Sequence, residues 1–159
     1  MTHNADVATL PCKNRMGAMW AIMLVSICQF LDATIANVAL PHMQTSLGAS
    51  VDTISWVLTS FIMAGAIFTP ITGWISDRYG SRNVFIWATG LFLLASAFCG
   101  ASTSLTMMVV FRSIQGAAAA VMGPMSQTVM FDINPPSKQA GAVSLWGTVS
   151  MVAPISGPF

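Results

Sequence analysis

The chain has 159 residues, of which 55% are hydrophobic and only 7% charged, and six basic residues against five acidic ones leave a formal net charge of +1. A soluble domain carries roughly 25% charged residues, so this supply cannot coat a water-facing surface, and a net charge so near zero excludes the basic footprint of a nucleic-acid-binding protein. The composition is that of an all-α integral membrane protein whose first partner is the lipid bilayer.

In chain order, residues 1–15 form a polar N-terminal segment ending in Lys13 and Arg15. The apolar stretch that follows is too long for the 7–15 residues of a signal-peptide core, and is expected to be an uncleaved first membrane helix over about 16–40. Further helices are expected over about 53–76, 84–100, 105–131 and 138–159, most near or above the ~20 residues that cross a bilayer. The breaks PHMQTSLGASVD, DRYGSRN, GASTS and DINPPSKQ concentrate turn-formers and polar groups, as expected where backbone meets water. Trp20, Trp56, Trp74, Trp87 and Trp146 each fall within a few residues of an expected helix end, which suggests an aromatic belt. His42 and Asp52 fall in the first outer connection and are expected to be solvated.

Five of the six basic residues share one side of this arrangement: Lys13, Arg15, Arg78, Arg82 and Lys138. The positive-inside rule makes that side cytoplasmic and places the N-terminus there. The sixth, Arg112, falls inside helix 4.

Helix 1 contains a charge of its own, Asp32, nine residues before Pro41. Arg112 is seven residues into helix 4, which runs the opposite way. At ~1.5 Å rise per residue the two depths agree to within a few ångström. A lone charge at a helix centre costs about 2.5–3.5 kcal/mol on the insertion scale, so such residues face a bundle interior or a wet cavity. On helix 1, Ser26, Gln29, Asp32, Ala33, Ala36 and Asn37 share an arc of about 140°, opposite Trp20, Leu24, Ile27, Leu31, Ile35 and Val38. On helix 4, Arg112, Gln115, Gly116, Ala119, Gly123, Ser126 and Gln127 share about 120°. Gln29, Asn37, Gln115, Gly116 and Gln127 are the candidates for lining a substrate cavity. The methionines, Met107, Met108, Met122, Met125 and Met130 among them, are expected to face core or lipid.

Two accounts of the pair compete. Asp32 and Arg112 could simply neutralise each other. Alternatively, loss of water favours a proton on a carboxylate while a nearby cation favours the ionised form. A movement that changed either would load or unload a proton, with Asp32 as carrier and Arg112 as modulator.

Four motifs, in order, resemble the major facilitator superfamily and, more narrowly, its EmrB/QacA group of drug:proton antiporters with fourteen membrane helices. LDATIANVALP (31–41) is similar to LDxTIVNVALP, with Ala36 for the usual Val. GWISDRYGSRNVF (73–85) resembles the GxLaDRxGrkxxl turn between helices 2 and 3, with Ile75 for Leu and Ser81 for a basic residue. MVVFRSIQGAAAA (108–120) resembles the helix 4 pattern lxxxRxxQGxgaa. VSMVAPISGP (149–158) resembles the helix 5 pattern GxxxGPxxGG but has Val149, Ala153 and Pro158 for Gly.

The resemblance implies proton-coupled multidrug efflux of small hydrophobic or cationic drugs, with a proton gradient and no bound cofactor. It implies a cytoplasmic latch of Gly73, Asp77, Arg78, Gly80 and Arg82, in which Gly73 permits close helix contact and Gly80 a tight turn. It assigns Pro154 and Gly157 of helix 5 to preventing proton leak. The site is the plasma membrane, the inner one where an outer membrane exists, and a periplasmic adaptor and outer-membrane channel are then implied partners. Measured against two six-helix halves, five helices form an incomplete fold and are expected not to transport alone. A small subunit completed by oligomerisation or a partner, or an inactive gene product, are the other classes. Enzyme chemistry is not expected: there is no Glu, no P-loop, no His cluster, and Cys12, Cys28 and Cys99 lack metal-ligand or CxxC spacing.

Overall fold

The structure is a computed structural model that describes residues 14–47 and 50–156. Five helices make up this part: α1 (Arg15–Leu47), α2 (Val51–Tyr79), α3 (Ser81–Gly100), α4 (Leu105–Ile133) and α5 (Pro136–Ser156). Their boundaries follow local chemistry. The Ser50 side chain accepts from the Thr53 amide at 3.3 Å and caps α2, and Ser104 caps α4 through the Met107 amide at 3.3 Å. Gly80 both ends α2 and precedes α3, at φ 82°, a conformation in which a side chain is strained. Pro136 opens α5, where its missing N–H has no helical partner to lose.

Among the described residues, four helices, α1 to α4, are long and apolar enough to cross a membrane by length and composition. The fifth expected helix is present as α5, more polar than the others over its 21 residues, where it carries Lys138, Gln139, Ser144, Thr148 and Ser150. Helix α1 differs from expectation. Its backbone continues through Pro41 to Leu47 instead of stopping near residue 40. Proline removes one backbone donor, but within a long membrane helix a single lost bond does not force an end. No glycine follows until Gly48.

Helix α4 is central, packed most extensively against α2 and α3 and also touching α1 and α5. The main core gathers Met122, Met125, Val129, Met130 and Ile133 of α4 with Ile22 and Met23 of α1, and Val84, Phe85, Ala88 and Phe92 of α3. Of the five methionines singled out above, Met108, Met122, Met125 and Met130 are buried, while Met107 is exposed. The outward faces carry Trp20, Leu24, Ile35 and Val38 on α1, Ile62 and Ile67 on α2, and Trp87, Leu93 and Leu94 on α3. Apolar surface this extensive suits lipid, not water.

The aromatic-belt expectation is corrected at Trp146. It lies mid-way along α5, half-buried, and its indole N–H donates to Ser26 Oγ at 3.0 Å. This bond docks α5 on α1, and Ser26 in turn donates to the Ile22 carbonyl at 3.0 Å.

Candidate functional site

Three helices deliver polar groups to one point in the apolar bundle. Asp32 comes from α1, Ser96 and Cys99 from α3, and Arg112 and Gln115 from α4. Arg112 Nη1 donates to Asp32 Oδ2 at 2.8 Å, and Ser96 Oγ donates to Asp32 Oδ1 at 3.3 Å. The two side chains are 9% and 18% exposed for Arg112 and Asp32, so the ion pair is largely withdrawn from water. The Arg112 guanidinium also lies 5.9 Å from the ring centre of Phe61 on α2, in cation–π range. One turn along α4, the fully buried Gln115 accepts from Cys99 Sγ at 3.8 Å. Arg112 Nε and Gln115 Nε2 are buried without hydrogen-bond partners.

The expected equality of depth between Asp32 and Arg112 is thus met by direct contact, although α1 ends later than its sequence suggests. The pair borders a cavity of 380 Å³ lined by Asp32, Ser96, Cys99, Ser102, Met108 and Arg112, among others. A larger groove of 570 Å³ lies between α2, α3 and α4, against Phe68, Tyr79, Val84, Trp87, Leu91 and Val121. It contains none of the sequence candidates and no charged side chain, so the smaller cavity is the chemically informative one.

The five expected cavity residues do not converge. Gln29 bridges helices, donating to the Ala119 carbonyl of α4 at 3.1 Å. Asn37 is exposed and donates to its own helix at the Ala33 carbonyl, 2.8 Å away. Gln127 is exposed, while Gln115 is enclosed among neighbours. Gly116 makes a close helix contact. A Cβ placed there would overlap the Phe61 carbonyl oxygen and come within 2.9 Å of the Phe61 Cα. An amphipathic arc groups residues on one side of one helix, but that side is shared between partner helices and open surface.

In the turn after α2, Gly80 has the positive φ expected of it. Among the described residues, a Cβ at Gly73 would meet nothing within 4 Å. Asp77, Arg78 and Arg82 are exposed, and Arg78 lies 5.9 Å from the ring centre of Trp74. Among the described residues Asp77 makes no ion pair; the pair of Asp32 and Arg112 is the one present. Pro154 belongs to the backbone of α5, its side chain outside the described set, and Gly157 lies outside the described residues.

Sequence reasoning missed Ser96, Cys99 and Phe61. A faint signal existed for two of them: Ser96 and Cys99 are three apart in an apolar run and so share a helix face.

The profile of the Major Facilitator Superfamily matches residues 22–159. The chain belongs to this superfamily. It is 45% identical over 138 residues to the multidrug export protein EmrB of Escherichia coli (strain K12), covering 87% of the chain and 27% of that protein. It is 40% identical over 158 residues to the probable multidrug resistance protein EmrY of the same strain, covering 97% of the chain and 31% of that protein. The fatty acid resistance protein FarB of Neisseria gonorrhoeae is 39% identical over 142 residues, with 87% and 28% covered. The fold is shared with a bacterial homolog of the human lysosomal transporter Spinster, solved inward-facing and unoccupied. The TM-score is 0.74 at 23% identity, over 91% of this chain and 30% of that one. The chain therefore spans about a third or less of the length of the relatives it matches. It is a multi-pass membrane protein of the superfamily's EmrB-like branch, with the helices of an incomplete major facilitator fold.

Proposed function

We propose that this chain forms the proton-handling part of a drug:proton antiporter, with Asp32 as the group that takes and releases the proton and Arg112 as the cation that competes for it. The single observation that supports this is the 2.8 Å ion pair between α1 and α4 at the edge of a cavity. A carboxylate with one cation close by and space beside it changes its proton affinity whenever helix movement alters that distance or admits water. The names of the EmrB and EmrY relatives support multidrug efflux as the process. In this reading small hydrophobic or cationic drugs are the cargo and a proton gradient the energy source. Because the chain spans only 27–31% of these relatives, activity is assigned to the complete carrier and this segment alone is expected not to transport.

The rest of the reading concerns placement. Arg78, Arg82 and Lys138 are exposed near helix ends, and with Arg15 they support a cytoplasmic N-terminus in the plasma or inner membrane. An adaptor and outer-membrane channel are proposed partners where an outer membrane exists. Asp77 would serve as a latch through a charge on another helix of the complete carrier, and the Pro154–Gly157 segment would limit proton leak.

The test is Asp32→Asn in the complete carrier, in vesicles with an imposed proton gradient. Loss of gradient-driven dye efflux is expected, and efflux at the unsubstituted rate would leave the pair a purely structural one.

A further inference from the structure

We infer that Ser96 of α3 is a positioning residue for proton uptake, and that the proton resides on Asp32 Oδ1, the oxygen facing Ser96; this rests on the proton-handling reading of Asp32 above. The two carboxylate oxygens have different neighbours. Oδ2 accepts from Arg112 at 2.8 Å, and Oδ1 accepts from Ser96 at 3.3 Å. A guanidinium carries donors only, so an oxygen facing it has no acceptor to which it could pass an O–H. A serine hydroxyl is both donor and acceptor and can turn. Oδ1 is thus the oxygen that can be held in both protonation states.

The step balances simply. A proton from water in the cavity bonds to Oδ1, and the new acid O–H donates to Ser96 Oγ. The Ser96 hydroxyl rotates and gives its own hydrogen to the carbonyl one turn back on α3, the usual second partner of a helical serine. Release reverses each movement. Arg112 can keep its contact with Oδ2 during this step, so uptake does not require the contact between α1 and α4 to break first, and a later change in that distance alters how firmly the proton is held.

The placement suits this role. Ser96 and Asp32 both border the 380 Å³ cavity. The charged and titratable groups around Asp32 are Arg112 from α4 and Cys99 from α3. The charged residues of α2 (Asp52, Asp77 and Arg78) lie in its first and last turns, and the one charge of α5, Lys138, is exposed in its first turn. No other described side chain donates to Oδ1. Ser96 belongs to none of the four motifs, so sequence resemblance gives it no role.

The inference is tested by pH-difference infrared spectroscopy on the complete carrier in lipid nanodiscs, reading the C=O stretch of the protonated carboxyl. A band lost in Asp32→Asn identifies the Asp32 proton. In Ser96→Ala the acid O–H loses its acceptor, and the band is expected to move to higher wavenumber. Ser96→Thr, which keeps the hydroxyl, is expected to leave it in place. Ser96→Cys, close in size with a weaker sulfur partner, moves it in the same direction as Ala and serves if the Ala variant does not fold. A band that vanishes in Asp32→Asn but stays in place in both Ser96→Ala and Ser96→Cys overturns the role of Ser96 while leaving Asp32 as the proton site. No band at any pH, or one that survives Asp32→Asn, overturns the proton-handling reading itself.

Discussion

Gly116 of α4 faces the backbone of Phe61 on α2 so closely that a methyl group at position 116 would overlap the Phe61 carbonyl oxygen. Gly65, one turn further along α2, would bring its own Cβ to 3.7 Å from the Gly116 carbonyl, an ordinary contact. The two helices thus approach to backbone distance at one place, as small residues allow in membrane bundles. The same approach sets the Phe61 ring beside Arg112. Gly116→Ala is expected to force α2 and α4 apart and to cost about 1–3 kcal/mol, the range for overpacking a close contact. A thermal unfolding series in detergent checks this. An unchanged midpoint in Gly116→Ala would show that the contact yields freely.

The ion pair of Asp32 and Arg112 is largely buried, and this makes its members interdependent. Removing one partner leaves the other charge without compensation, at a cost of about 3–5 kcal/mol. Asp32→Ala and Arg112→Ala are each expected to destabilise strongly, and the double variant is expected to be more stable than the sum of the two losses implies. A double-mutant cycle on the unfolding midpoint measures the coupling. Additive losses would mean that the two charges do not sense one another.

Trp146 ties α5 to α1 through its 3.0 Å bond to the buried Ser26. Trp146→Phe keeps most of the ring and removes the N–H, for a loss of about 1 kcal/mol. Because α5 meets the bundle mainly through α1 and α4, the effect is expected to be local. Amide hydrogen exchange is predicted to speed up along α5 and to stay unchanged along α2 and α3. Uniform acceleration over all helices would contradict this.

Asp77 separates stability from cycling. It is exposed and makes no ion pair among the described residues, so Asp77→Asn is expected to change stability by no more than about 0.5 kcal/mol. If Asp77 serves as the proposed latch, the same substitution slows efflux by the complete carrier. Measuring both on one preparation distinguishes the cases. A rate equal to that of the unsubstituted carrier removes the latch role.

Much of the site was legible before any fold was known. The charge-poor composition requires lipid, and an isolated Asp32 and Arg112 in apolar runs require each other or a wet cavity. Counting along antiparallel helices set them at one depth. Burial patterns on α1 followed the same logic: Ser26 and Ala36 are buried while Trp20, Leu24, Ile35 and Val38 are exposed. An arc on a helix did not say which of its residues pack and which stay open. Gly116 packs against Phe61, Gln115 is enclosed, and Asn37 and Gln127 are open. At Gly73 an added Cβ would meet no described atom within 4 Å.

By itself the sequence determined the long apolar helices, the turn at Gly80 and the pairing of the two buried charges. Each follows from local chemistry: hydropathy along one segment, the φ of one residue, the cost of one charge in hydrocarbon. Only the tertiary structure decided that Ser96 holds the second oxygen of Asp32, that Phe61 underlies Arg112, and that Trp146 turns inward to Ser26. Those contacts depend on how each helix is rotated and where it crosses its neighbours. Rotation and crossing are set by the packing of all five helices together, which no single segment encodes.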